Sequence, residues 1–324
     1  MAVRIARILT AFLSAIFIYG CCYSTPLSAQ ESSAAGLALD DNAPPNSLKY
    51  AGSLIARSDF ARAQSCLEDY LQQHSDSAEG HYLLAYTSLR LNQPDRSLEE
   101  YTAAARMRTP SAKDLLHVAQ NYILLNDTAD AEKWMNRAIQ LDEADADIWY
   151  GLGRLKYSDQ KFESAIKCFQ RTLQIEPRSV KAENNLGLAY EALNRNEDAM
   201  AAYRAAIDLE KTSAHPSEQP IFNLGAILLK NGDPGQAERL LRQAILIAPK
   251  DPEIHEKLGD LCAQRRQFDE ARVEYQKAIA ISPNNGSLHY LLAQTYKREG
   301  LKNEADIEFS RASELLGNKA TPVQ

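Results

Sequence analysis

One feature constrains this chain more than any other: from residue 44 onward, small and large apolar residues return every 34 positions. Around Trp149 the chain reads Trp-Tyr-Gly-Leu-Gly, followed by Ala165, Phe169, Thr172 and Pro177. One period later come Leu186-Gly187, Ala199, Tyr203 and Ala206. After four extra residues the pattern resumes as Leu224-Gly225, Ala237, Leu241, Ala244 and Pro249. It continues as Leu258-Gly259, Ala271, Tyr275, Ala278 and Pro283, and then as Leu292-Ala293, Ala305, Phe309 and Ala312. Backward steps find Val118-Ala119, Ala131, Met135 and Ala138, then Leu84-Ala85, Ser97, Tyr101 and Ala104. The faintest copy holds Tyr50-Ala51, Ala63 and Leu67.

Each position in the period has a physical reading. Glycine inside a helix costs about 1 kcal/mol relative to alanine. Its return at Gly153, Gly187, Gly225 and Gly259 therefore requires a compensating close approach of a second helix, with the Ala some twelve residues later facing the same contact. The larger Phe169, Tyr203, Tyr275 and Phe309 are expected to fill space between one repeat and the next. Pro177, Pro249 and Pro283 end the second helices, and Asn231-Gly232-Asp233 marks a tight turn. A unit of this kind cannot bury its apolar face alone, so it is stabilised by stacking on its neighbours.

The pattern Trp, Leu-Gly, Tyr, Ala, Phe, Ala, Pro over 34 positions resembles the tetratricopeptide repeat family. The resemblance covers eight copies: 44–77, 78–111, 112–145, 146–179, 180–213, 218–251, 252–285 and 286–319, with a short tail at 320–324. Only Trp149 keeps the leading Trp, and several copies lack the closing Pro. The resemblance implies an all-α chain, a right-handed α-solenoid of helix-turn-helix repeats.

Residues 1–29 read differently. Arg4 and Arg7 precede an apolar run from Ile8 to Gly20, shorter than the roughly 20 residues that span a bilayer. This suits a signal peptide, with Ala29 a candidate cleavage position. Ile18-Tyr19-Gly20-Cys21 also resembles a bacterial lipobox, in which Cys21 would carry lipid. An uncleaved anchor is the third reading. All three place the folded part outside the cytosol, as an exported protein that meets the membrane only through this segment. Residues 30–43 are polar and read as a flexible linker.

Composition narrows the function classes. With 36 Lys and Arg against 43 Asp and Glu, the net charge is −7, without the basic surplus of a duplex nucleic-acid binder. Gly151-Leu152-Gly153 lacks the third glycine of a phosphate loop and lies within a helix. His81, His255 and His289 share the repeat position of Trp149, where packing is expected rather than metal ligation. His117 can face the groove but has no evident acidic or thiol partner by phase. Cys66, Cys168 and Cys262 lie too many helix layers apart for disulfides and read as isolated thiols. Neither a catalytic constellation, a metal site nor a cofactor is expected. The chain ends at Gln324, soon after the eighth copy, and the sugar transferase domain that accompanies such repeats in some relatives is not expected here.

Function is therefore expected in the groove. In this family the first helix of each repeat lines a concave surface that binds a protein or peptide. Carried over by repeat phase, the resemblance assigns Tyr82, Tyr86, Leu116, Arg154 and Tyr157 to that surface in the N-terminal half. It assigns Asn185, Phe222 and Asn223 in the C-terminal half, where the two amides share one repeat position. The Lys partners of a terminal-carboxylate clamp are missing there, since Gln219 and Glu253 occupy one such place. Two alternatives stay open: packing of Tyr82 and Tyr86 between repeats, and a role for the chain as a lipid-tethered structural subunit of an envelope assembly or an accessory subunit of an enzyme complex.

Overall fold

The computed structural model describes residue 44, residues 46–211, residue 213 and residues 215–317. The expected targeting segment with Cys21, the expected linker and the tail lie outside the described residues. Among the described residues there are sixteen helices and no strand. In chain order they are α1 Leu48–Ala56, α2 Phe60–Gln73, α3 Ala78–Arg90, α4 Pro94–Met107, α5 Ala112–Leu124, α6 Thr128–Leu141, α7 Ala146–Ser158 and α8 Phe162–Ile175. There follow α9 Val180–Ala192, α10 Asn196–Glu210, α11 Gln219–Lys230, α12 Pro234–Ile247, α13 Pro252–Gln264, α14 Phe268–Ile281, α15 Gly286–Glu299 and α16 Lys302–Gly317. Odd and even helices pair, one pair to each sequence period. The described residues up to Pro177 form one compact unit and those from Arg178 onward another.

Local chemistry sets the helix ends. Ser111 caps α5 in a reciprocal box: its hydroxyl accepts from the Asp114 N–H at 3.1 Å, and the Asp114 carboxylate accepts from the Ser111 N–H at 2.8 Å. Ser47, Asp59, Ser77, Asp127, Asp145, Asp233, Asp251 and Asn285 supply side-chain caps elsewhere. Each turn within a pair contains one left-handed residue. Asn92, Asn126 and Asn194 serve at φ near 58°, and Gly232 and Gly300 at about 85°. Asn and Gly enter this region at the lowest steric cost, which is why they collect in these turns.

The glycines do meet the opposing helix, but their main partner is the aromatic rather than the alanine. A Cβ on Gly153 would stand 2.6 Å from the Phe169 ring, one on Gly187 2.4 Å from Tyr203, and one on Gly259 2.5 Å from Tyr275. Phe169, Tyr203 and Tyr275 are thus seated within their own repeat, against the bare backbone of the first helix, and all are essentially inaccessible. This corrects the expectation that they chiefly separate one repeat from the next. Ala165, Ala199 and Ala271 complete the contact and are also fully buried.

The histidines at the Trp position do more than pack. The Trp149 indole Nε1–H donates to the carbonyl of Glu143, six residues back, at 2.9 Å. His81, His255 and His289 reproduce that bond through Nε2 to the carbonyls of Ser75, Pro249 and Pro283, at 3.2, 3.4 and 3.0 Å. In each, Nδ1 also lies within hydrogen-bond distance of a glutamate 19 residues on: Glu100 at 2.6 Å, Glu274 at 2.7 Å and Glu308 at 2.6 Å. Both ring nitrogens therefore face an oxygen. Burial raises the Glu274 carboxyl, but hydrogen bonds from Lys277 and His255 outweigh it and leave it below the usual range. His255→Phe keeps the ring, removes both bonds and should cost about 1–3 kcal/mol, while His255→Trp should lose less because an indole N–H can still reach the carbonyl. Chemical denaturation of the two variants checks this ordering.

Candidate functional site

In the N-terminal unit the first helices of successive pairs touch one another, α1 to α3, α3 to α5 and α5 to α7, as well as their own partners. This crowded row is where the sequence reading placed the binding surface. The structure divides the assigned residues by depth. Tyr82 and Leu116 are only 4% and 5% exposed. Tyr82 packs with Tyr101, Ala104 and Val118 and donates its hydroxyl to the Arg108 carbonyl at 2.8 Å. Leu116 lies in the cluster of Met135, Ile148 and Leu152. These two stabilise the stack and are removed from the list of surface anchors, because neighbouring helices cover them. Tyr86, Arg154 and Tyr157 are half-buried and remain on the row's surface.

Tyr86 belongs to a connected cluster. Its ring lies 4.9 Å from that of His117 and 6.3 Å from that of Phe60. Arg90, one turn along α3, donates to the Tyr86 hydroxyl at 2.9 Å and lies over the Phe60 ring at 4.6 Å. His117 is 8% exposed, and its ring nitrogens make no hydrogen bond among the described residues. Burial, then the charges of Lys113 and Arg90, push its pKa down to about 3, so the ring is neutral. Beneath it lies Tyr101, whose hydroxyl is buried without a hydrogen-bond partner among the described residues. Repeat phase sets Arg90, Lys113 and His117 at groove-facing positions of two successive first helices; the contacts of Tyr86 with Arg90 and His117 come from the structure. Arg154 stands over the Tyr150 ring at 5.9 Å, and Tyr157 packs edge-on to Phe162 at 5.4 Å.

In the C-terminal unit the assigned amides are occupied within the chain. Asn223 donates to Asn184 Oδ1 at 2.9 Å, and Asn185 donates to the Lys181 carbonyl at 2.8 Å. Phe222 is half-buried against the cluster of Ile221, Leu241 and Ile254. Lys257 bonds both Glu256 and Asp260, at 3.1 and 3.0 Å, so this cation is neutralised on its own helix.

Cys66, Cys168 and Cys262 are free thiols, and burial pushes Cys168 up to about 11. Among the described residues, no group of three or more His, Cys, Asp or Glu is placed to hold a metal ion. No helix of the described residues is long and apolar enough to cross a membrane.

Comparison with known proteins follows the architecture. Tetratricopeptide repeat profiles match residues 51–112 and 150–216, 115–145 and 228–277, and a further TPR repeat profile matches 259–300. A peroxisomal targeting signal receptor of Eremothecium gossypii is 37% identical over 81 residues, 25% of this chain and 14% of the receptor. The protein O-mannosyl-transferase TMTC3 of Mus musculus is 30% identical over 151 residues, 43% of this chain and 16% of the transferase. The type IV pilus assembly protein PilF of Pseudomonas aeruginosa is 21% identical over 161 residues, 49% of this chain and 63% of PilF. The chain therefore spans only a small part of the first two of these relatives. Among solved structures, the APC/C hetero-tetramer Cut9-Hcn1 aligns with a TM-score of 0.60 at 15% identity, covering 88% of this chain and 56% of that one. The Pseudomonas PilF structure aligns at 0.56 and 19% identity, covering 63% of this chain and 91% of that one. These likenesses establish the fold. With repeat profiles matched along most of the described residues and one helix pair in each period, the chain belongs to the tetratricopeptide repeat family.

Proposed function

We propose that this protein is a non-enzymatic, exported scaffold that holds a segment of a partner protein along the first-helix row of its N-terminal unit. The observation that carries the reading is the half-exposed aromatic and cationic strip of Tyr86, Arg90, Arg154 and Tyr157 on the first-helix row. Aromatic and arginine side chains are the usual anchors of protein interfaces. Two curated relatives are named for targeting-signal reception and pilus assembly, which is compatible with a protein partner here. Export rests on the basic-then-apolar pattern of residues 1–29.

Affinity capture from the native envelope, with the wild type and a Tyr86→Ala/Tyr157→Ala double variant, tests the binding reading. A partner held by the wild type should be lost from the variant, since truncating central aromatic anchors commonly costs about 2 kcal/mol or more. Retention of every captured protein by the folded variant would count against this surface. Mass spectrometry of the mature N-terminus tests export: a chain beginning after Ala29 supports the soluble form, and lipid on Cys21 the tethered subunit.

A further inference from the structure

We infer that the strip at Tyr86, Arg90, Lys113 and His117 selects an acidic segment, seating Asp or Glu side chains of a partner protein. This rests on the scaffold reading above and names the chemistry of its ligand. The first ground is uncompensated charge. Although the chain carries net −7, no carboxylate lies within ion-pair distance of Arg90, Lys113 or Arg154 among the described residues. Several cations nearby are paired, Arg96 with Glu68, Arg108 with Glu79 and Lys156 with Glu132, whereas the unpaired Arg106, Arg137 and Lys167 lie on second helices, away from this row. Arg90 bonds the Tyr86 hydroxyl and the Tyr86 ring lies against His117, and the charges of Arg90 and Lys113 both act on that ring. The adjacent acid, Asp114, is buried and committed to the Ser111 hydroxyl and N–H, leaving the cations unanswered.

The second ground is the buried ring. His117 is more than nine-tenths covered, yet its ring nitrogens find no partner within the protein. These nitrogens are not among the fully covered unpartnered atoms of the described residues, so a ligand atom can reach them. A carboxylate set between the cations can accept the one N–H of the neutral ring. The guanidinium of Arg90, held in place by the Tyr86 hydroxyl and the Phe60 face, offers planar donors suited to a carboxylate. The Tyr86 ring would cover the adjoining methylene of Asp or Glu. Attraction of this kind governs which partner binds.

Selection of phage-displayed random decapeptides on the purified full chain tests the inference, followed by fluorescence anisotropy of labelled winners. The expected winners are enriched in Asp and Glu. They should weaken about tenfold or more when those residues become Asn and Gln, or when the protein carries Arg90→Gln/Lys113→Gln. Added salt should weaken them further. Lys113→Gln alone, at a side chain with no ion-pair partner, serves as the variant least able to disturb the fold. Winners without acidic bias, or acidic winners that bind the double and single variants as tightly as wild type, would overturn the inference. Neutral winners lost in Tyr86→Ala/Tyr157→Ala would leave the scaffold reading standing while ending this one. No winner above background on folded protein would end both.

Discussion

Phe169→Ala is expected to destabilise the N-terminal unit by about 3–5 kcal/mol, because it empties a fully buried ring from the heart of one helix pair. The partner of that ring is the bare backbone at Gly153, so the same contact can be attacked from the other side. Alanine at 153 improves helix propensity by about 1 kcal/mol. Its methyl, however, would stand 2.6 Å from the Phe169 ring, and overpacking of this kind typically costs about 1–3 kcal/mol. Gly153→Ala should therefore destabilise the wild type. In the Phe169→Ala background the methyl enters vacated space, and the same change should stabilise. Both tryptophans of the chain, Trp134 and Trp149, lie in this unit, so their fluorescence during urea unfolding reports on it. Additive effects of the two substitutions would show that the pair is not in contact.

Acid should weaken the same unit through His117. Its pKa is about 3 in the folded protein, because burial and then the charges of Lys113 and Arg90 oppose protonation, whereas an unfolded histidine titrates near 6.5. The stability that depends on a neutral ring is fully present above about pH 6.5 and is lost as pH falls from there toward 3. Over that window the unfolded chain binds one more proton at this site, and the slope approaches about 1.4 kcal/mol per pH unit. His117→Phe should flatten this part of the profile of urea midpoint against pH. An unchanged profile in the variant would place the acid sensitivity elsewhere.

The fold was legible because packing in a stacked array is periodic. Gly153, Gly187 and Gly259 announce a close helix approach, and the residue 16 positions on is the aromatic that fills it. That spacing was in the sequence, although the aromatic reads there as a wedge between repeats until the glycine's neighbours are known. The histidine latches were also written in it: His81, His255 and His289 each precede a glutamate by 19 residues. The binding strip was legible only in part. Repeat phase places a side chain on a row but does not set its depth. Tyr82 and Tyr86 lie one turn apart on α3, yet Tyr82 is enclosed by Tyr101, Ala104 and Val118 while Tyr86 stays half-exposed. Repeat phase sets Arg90 and Lys113 on the row, but that neither meets a carboxylate is seen only once the acids of several repeats have been placed. The paired amides looked alike by phase, but Asn223 is spent on Asn184 and Asn185 on its own helix.

The central claim, that a partner segment lies along the first-helix row of the N-terminal unit, is tested most directly by site-specific photo-crosslinking in the native host. A benzophenone amino acid replaces Tyr157 on that row or, in a separate chain, Asn136 on the exposed side of α6. The account predicts a discrete protein adduct from position 157 and none from position 136. An adduct from 136 with none from 157 would contradict it.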